Sequence, residues 1–172
     1  MLSGHLQGRI LAQFSHMLKP ERILEIGTYT GYSALCLAEG LTKDGLLYTL
    51  DINEELEDLV RGYFSESPYN DQIKYIIGDA KEEIGKLKET WDLVFIDADK
   101  PAYKQYFDLV IDNVREGGFI VVDNVLWSGK IINEKADTKT AIMQDFNREV
   151  HEDPRVENVL VPVRDGLMVI RK

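Results

Sequence analysis

Cysteine is nearly absent from this 172-residue chain: Cys36 stands alone, so no internal disulfide can form and a reducing compartment is expected. Long apolar stretches are missing too. Runs such as Leu93–Ile96 and Phe119–Val122 stop after four residues, against the roughly 20 that cross a bilayer. No charged start with an apolar core and a small-residue cleavage site is visible, so a cytoplasmic protein without membrane attachment is expected. Positive charge is in short supply. Twenty Lys and Arg against 30 Asp and Glu give a net charge of −10 and a pI near 4.8, which argues against a broad phosphate-binding face but allows a local basic patch. The three histidines (His5, His16, His151) do not pair with Cys36 or one another at ligand spacing, so zinc and thiol mechanisms have no support. Repeats, low-complexity tracts and Pro/Ser-rich linkers are lacking as well, and residues 1–172 read as one domain.

What is present is alternation of helix and strand signals. Leu6, Ile10, Phe14 and Leu18 recur every four residues, a helical stripe that Lys19-Pro20 should end. Short apolar runs at 23–26, 46–50, 73–77, 92–96 and 118–122 read as strands, with helical pattern between them, including one helix over 30–41. Asn53 before Glu54 and Glu55 looks like a helix cap with an acidic first turn, and Glu57 and Asp58 continue a solvated face. Gly117-Gly118 reads as a helix stop before the fifth strand. Cys36 reads as a small core residue. Near-continuous apolar strands between helices imply a parallel sheet covered on both faces. Val156–Val163 and Leu167–Ile170 flank Asp165-Gly166, a hairpin signal. The expected fold is a doubly wound α/β domain whose mostly parallel sheet of seven strands ends in an antiparallel hairpin. Such folds bind ligands beyond the carboxyl ends of their strands.

After the first strand the chain reads Glu25-Ile-Gly27-Thr-Tyr29-Thr-Gly31-Tyr-Ser33. Two glycines at a strand-to-helix turn let backbone approach a ligand, and a helix N-terminus offers free N–H groups. The dinucleotide pattern G-x-G-x-x-G would need glycine where Glu25 stands, so a nicotinamide or flavin site loses its main support. Asp51 ends the second strand 24 positions after Gly27, near the roughly 20 expected of a carboxylate that binds a ribose diol. Gly78-Asp79-Ala80 ends the third strand on the same rim, where it can meet an adenine ring. Together these features resemble S-adenosylmethionine-dependent methyltransferases.

The fourth strand delivers Asp97-Ala98-Asp99-Lys100 and the fifth Asp123-Asn124. In a parallel sheet these ends are neighbours or nearly so. Asp97, Asp123 and Asn124 then bring together hard oxygen donors, which suit Mg²⁺, Ca²⁺ or Mn²⁺. The plainer reading makes Asp97 and Asp123 helix caps, but a polar pair after each of two core strands is more than capping requires.

Three stretches carry a specific resemblance: 24–33, Phe95-Ile-Asp-Ala-Asp-Lys100 and Val121-Val-Asp-Asn-Val-Leu-Trp127. They look like the cation-dependent O-methyltransferases, the group of catechol and caffeoyl-CoA O-methyltransferases, and closest to its bacterial, caffeoyl-CoA-like branch. The likeness runs over essentially the whole chain, through Val163-Arg-Asp-Gly-Leu-Met168. It implies a Rossmann-like methyltransferase fold with S-adenosylmethionine as cofactor and Mg²⁺ at Asp97, Asp123 and Asn124. Lys100 would be the base that takes the acceptor's hydroxyl proton. Asp51 would hold the cofactor ribose, with Ile52 beside the adenine and Asp79 and Ala80 at its edge. Gly27, Tyr29 and Ser33 would surround the methionine end, with Ser3 passing its carboxylate, Asp97 near its ammonium, and Glu25 also counted among the cofactor-binding residues. Trp127 would wall the acceptor pocket; the plainer reading is a loop aromatic packed on the domain. Asp153 and Glu157 lie in the stretch where catechol O-methyltransferase sets an acid against the second acceptor hydroxyl. The resemblance also implies a homodimer, and a helical segment that family members carry before the position matched by Met1.

The reading that follows is Mg²⁺-dependent methylation of one hydroxyl of a catechol-like small molecule. A phenol with pKa near ~10 must lose its proton to attack, and a cation bound to two vicinal oxygens both stabilises the anion and selects the acceptor. Two other readings compete. One is methylation of a hydroxylated uridine in tRNA, helped by Lys130, Lys135 and Lys139 near the Trp127 loop. The other is a non-catalytic cofactor-binding domain, which would not need Lys100 or the oxygen donors.

Overall fold

The computed structural model describes residues 3–133 and 135–172. Seven strands form one sheet in the order β3-β2-β1-β4-β5-β7-β6. They are β1 (Arg22–Ile26), β2 (Leu46–Asp51), β3 (Ile73–Ile77), β4 (Trp91–Ile96), β5 (Val114–Val122), β6 (Glu157–Val161) and β7 (Leu167–Arg171). β1 to β5 pair in parallel, while β7 runs antiparallel to both β5 and β6. The doubly wound sheet with its closing hairpin is thus as expected, but β6 stops at Val161 and the turn is Val163–Gly166, with Arg164 (φ 53°) and Asp165 at its centre and the Gly166 N–H donating to the Val163 carbonyl at 2.9 Å.

Helices cover both faces because the central strands are apolar on both. Ile23, Leu93 and Phe95 pack with α1 (Gly4–Leu18), α2 (Tyr32–Ala38) and α3 (Glu57–Glu66). Leu24, Ile26, Val94 and Ile96 pack on the other side with α4 (Ala80–Glu83), α5 (Tyr103–Ile111) and α6 (Thr138–Glu152). Cys36 is buried, as expected, and Asn53 Oδ1 accepts from the Glu55 N–H at 3.0 Å as a cap. Among the described residues no helix is long and apolar enough to cross a membrane.

α1 ends at Leu18 as the stripe implies, with Ile10, Phe14 and Leu18 packed at the edge of the core and Leu6 60% exposed, while its buried residues are Gln7, Gly8, Leu11, Ala12 and Ser15, so the helix is rotated away from its apolar repeat. Close approach to α2 sets that rotation. A Cβ on Gly8 would lie 2.5 Å from the Tyr32 ring, and Ser15 Oγ donates to the Leu37 carbonyl at 2.6 Å. The helix expected over 30–41 is shorter, starting after Gly31, whose φ is 79°. Gly117-Gly118 is no helix stop. α5 ends at Ile111, and both glycines lie inside β5, where the pairing with β4 slips between Trp91↔Val114 and Leu93↔Phe119. Gly117, at φ 73°, makes that bulge.

Candidate active site

The carboxyl ends of β1 to β5 supply the site. At β1, Gly27 has φ 104°, and a Cβ there would lie 2.2 Å from the Asp97 carbonyl oxygen. Only glycine lets the turn after β1 lie against the end of β4. Gly31 serves helix packing rather than ligand approach, since a Cβ there would strike the Phe64 ring at 2.6 Å. At β2, Asp51 turns both oxygens to backbone, accepting from the Tyr29 N–H at 2.6 Å and the Asn53 N–H at 2.9 Å. At β3, Asp79 caps α4 by accepting from the Lys81 N–H at 2.9 Å.

A cavity of about 490 Å³ opens between these ends, lined by Gly27, Asp51, Ile52, Asp79 and Ala80 on one side and Asp97, Lys100 and Tyr106 on the other. A smaller one of about 30 Å³ shares Gly27, Tyr29 and Asp97 with it and adds Ser3 and Ser33. Nine residues expected at the cofactor therefore line two adjoining cavities. Glu25, the tenth, is sealed beneath them.

Glu25 is fully buried on β1. Its Oε2 accepts from Thr49 Oγ1 at 2.5 Å, and Thr49 in turn meets Thr28 Oγ1 at 2.6 Å. Oε1 has no hydrogen-bond partner among the described residues, although the Ser33 hydroxyl is near enough to favour the anion. Burial pushes the carboxyl up to about 8, against the pull of Ser33 and Thr49. The folded chain thus holds this proton more tightly than the unfolded chain does. Stability is greatest below the ordinary value of 4.5 and falls as pH rises toward 8. Glu25→Gln is expected to remove that slope, which for one group is at most about 1.4 kcal/mol per pH unit. Urea unfolding of both proteins at pH 5.5 and 8 checks it; equal slopes would disprove the assignment. The two adjoining cavities above Glu25, rimmed by Asp51, Asp79 and Asp97, fit a polar cofactor bearing hydroxyl and ammonium donors.

The ladder of β1, β4 and β5 continues past the strands, since the Asp97 N–H donates to the Ile26 carbonyl at 2.9 Å and the Asp123 N–H to the Ile96 carbonyl at 3.0 Å. That sets Asp97 beside Asp123. Lys100 Nζ donates to Asp97 Oδ1 at 2.7 Å and lies 5.2 Å from the centre of the Tyr103 ring. Asp123 is 3% exposed. Its Oδ2 accepts from Gln7 Nε2 and its Oδ1 from the Asn124 N–H, both at 2.6 Å. Burial, then the charge of Asp97, raises the Asp123 carboxyl above the ordinary range. Buried Asp123 and partly buried Asp97 have one lysine near them, paired with Asp97, and Asn124 stands next to them in left-handed backbone at φ 61°. This surplus of buried negative charge and hard oxygen fits a divalent cation. Among the described residues no three His, Cys, Asp or Glu side chains could hold a metal, so the set depends on the Asn124 amide as its third donor.

Asp123, Asn124 and Trp127 lie outside both cavities. Trp127 is partly buried against the α5–α6 side of the core, in left-handed backbone at φ 49°. Asp153 and Glu157 are not brought to the site. Arg155 binds Asp153 at 2.7 Å and holds it below the usual range, and Arg171 binds Glu157 at 2.7 Å. Through Arg171, Glu157 is in register with Phe119, toward the start of β5 and away from Asp123. Lys130, Lys135 and Lys139 are exposed. The residues that sequence reasoning missed are Gln7 and Tyr106. Tyr106 sits on α5, whose periodicity marks it only as core. Gln7 lies beside the apolar stripe, not on it, and nothing local marks it.

The sequence profile of the O-methyltransferase family matches residues 1–172. The chain is 33% identical over 180 residues to caffeoyl-CoA O-methyltransferase of Petroselinum crispum, covering 96% of this chain and 74% of that protein. It is 31% identical over 179 residues to caffeoyl-CoA O-methyltransferase 5 of Nicotiana tabacum, covering 96% and 75%. Among solved structures, the O-methyltransferase from Bacillus cereus in complex with SAH is similar with a TM-score of 0.89 and 30% identity, over 98% of this chain and 82% of that one. An SAH-bound methyltransferase of Podospora anserina has a TM-score of 0.89 and 31% identity, over 99% and 79%.

Proposed function

The chain belongs to the O-methyltransferase family, and from that premise we propose that it methylates one hydroxyl of a vicinal dihydroxy aromatic small molecule, using S-adenosylmethionine and Mg²⁺. The observation that carries this reading is the Asp97–Lys100 pair standing beside buried Asp123 at the mouth of the large cavity.

Asp51, pre-oriented by two backbone N–H groups, accepts the ribose hydroxyls. Ile52, Ala80 and Tyr106 give the adenine apolar walls. Ser3, Tyr29 and Ser33 enclose the methionine end above Glu25, and Asp97 attracts its ammonium. The sulfonium of S-adenosylmethionine supplies an already activated methyl group. Asp97, Asp123 and Asn124 would hold the cation, with Ca²⁺ or Mn²⁺ as substitutes for Mg²⁺ in the same oxygen set. A cation held there would supply positive charge that eases ionisation of a phenol and would favour acceptors with two adjacent oxygens. Lys100 Nζ, once it has released its own ammonium proton to solvent, would take the hydroxyl proton, and Asp97 keeps that nitrogen in place. Trp127 would border the acceptor, three residues after Asn124 in a turn closed by the Trp127 backbone N–H donating to the Asn124 carbonyl at 3.1 Å. A cytoplasmic homodimer completes the proposal. An apolar groove of about 230 Å³ between Phe14, Met17 and Leu18 of α1 and Phe119, Val121 and Val169 of the sheet supports the dimer.

The test follows a labelled methyl group from S-adenosylmethionine to a 3,4-dihydroxyphenyl acceptor with Mg²⁺ and with EDTA. Transfer in Mg²⁺ and none in EDTA is expected. Transfer indifferent to EDTA would remove the cation, and no transfer in either would remove the acceptor class.

A further inference from the structure

We infer that Gln7 is a positioning residue for Asp123, whose neutral amide aims the carboxylate at a bound cation without bringing a competing charge. The inference rests on the metal reading proposed above. Gln7 is 1% exposed on the buried face of α1, a face otherwise made of Gly8, Leu11, Ala12 and Ser15. A buried amide is costly unless it is hydrogen-bonded, and this one donates to Asp123 Oδ2 at 2.6 Å across 116 residues of sequence.

The other restraints on Asp123 are also neutral. The Asn124 N–H holds Oδ1 at 2.6 Å, and Tyr103 Oη donates to the Asp123 carbonyl at 3.1 Å. Each carboxylate oxygen thus spends one lone-pair direction on an N–H and keeps the rest. The rotamer is set while the negative charge stays whole. Among the described residues, the cation that pairs with these acids, Lys100, sits on Asp97 instead. Elsewhere on α1 the chain does pair an acid with a full positive charge, Arg9 with Glu39 at 2.6 Å. A lysine or arginine in place of Gln7 would neutralise Asp123 and fill the cation's position. A tie that served only to hold α1 to the sheet would work as well with a charge as without one.

The experiment is Mn²⁺ titration followed by the electron paramagnetic resonance of the free ion, with SAH affinity by calorimetry and thermal melting as controls. Wild type is expected to bind Mn²⁺. Gln7→Met keeps the shape and removes the donor, and should weaken Mn²⁺ about 10–100-fold while SAH affinity stays within about twofold. Gln7→Lys keeps a donor and adds a charge, and should lose Mn²⁺ binding while staying folded. A folded Gln7→Met that binds Mn²⁺ like wild type overturns the inference and leaves the metal reading standing. Should Gln7→Met not fold, Gln7→Lys decides: wild-type Mn²⁺ affinity in that variant overturns the inference. Wild type that binds no Mn²⁺ overturns the metal reading and this inference with it.

Discussion

Asp123→Asn is expected to lower methyl transfer by at least about 10³-fold, since cation stabilisation of a developing anion is worth several kcal/mol and each 1.36 kcal/mol is tenfold in rate. Asparagine is the sharper choice than alanine. It keeps the volume, and its one amide oxygen can still accept from Gln7 at the cost of the bond to the Asn124 N–H, whereas alanine leaves the buried Gln7 amide without a partner, costing about 1–3 kcal/mol. Stability should change with pH. The wild-type carboxyl is raised by burial and by Asp97, so its ionised form opposes folding as pH rises above the ordinary carboxylate value. The melting temperature of Asp123→Asn relative to wild type should therefore be higher at pH 8 than at pH 5. Calorimetry with SAH separates the roles, because Asp123 lies outside the cavities assigned to the cofactor and its loss should leave SAH affinity unchanged. Transfer within threefold of wild type would end the metal assignment.

Lys100→Met should lower kcat by about 10²–10⁴-fold, the usual contribution of a positioned proton acceptor. Lys100 lies on a short turn at Lys100–Ala102, with its side chain 21% exposed, between Asp97 and the Tyr103 ring. That position favours a lysine reached by substrate but shielded from bulk water. Lys100→Arg decides what the residue contributes. Arginine keeps the charge and the ion pair with Asp97 but does not give up its proton in proteins. If Lys100 is the base, arginine should be as inactive as methionine. Recovery of turnover by arginine would mean that Lys100 acts through its charge, and unchanged turnover in both variants would remove it from the chemistry. Single-turnover rates at saturating S-adenosylmethionine make the comparison free of cofactor binding.

Much of this site was legible because its parts are strand ends. Asp51, Asp79, Asp97 and Asp123 each follow an apolar run, and in a parallel sheet those ends share one edge, so local pattern plus one topological rule brings them together. Gly27 was legible for a related reason: a glycine at a strand-to-helix turn marks backbone that must pass close to something, here the Asp97 carbonyl. Gly117 misled because a glycine pair before a strand has the same local appearance whether it stops a helix or bulges the strand. Only the slipped register with β4 tells them apart. Asp153 and Glu157 misled because acids near the right position were counted without their arginines, and Arg155 and Arg171 already hold them.

By itself, then, the sequence determined the order of elements, the sheet with its closing hairpin, and the acids along its carboxyl edge, all of which follow from residues within a few positions of one another. Only the tertiary structure decided which face of α1 is buried, that Gln7 grips Asp123, that Glu25 lies sealed with an unpaired oxygen, and that Trp127 packs on the core outside both cavities. The physical reason is the rotation of α1. Close packing of Gly8 on the Tyr32 ring turns the helix so that its four-residue apolar repeat rides the edge of the core while a glutamine points inward. A contact between positions 7 and 123 leaves no periodicity, spacing or charge pattern in the chain that makes it.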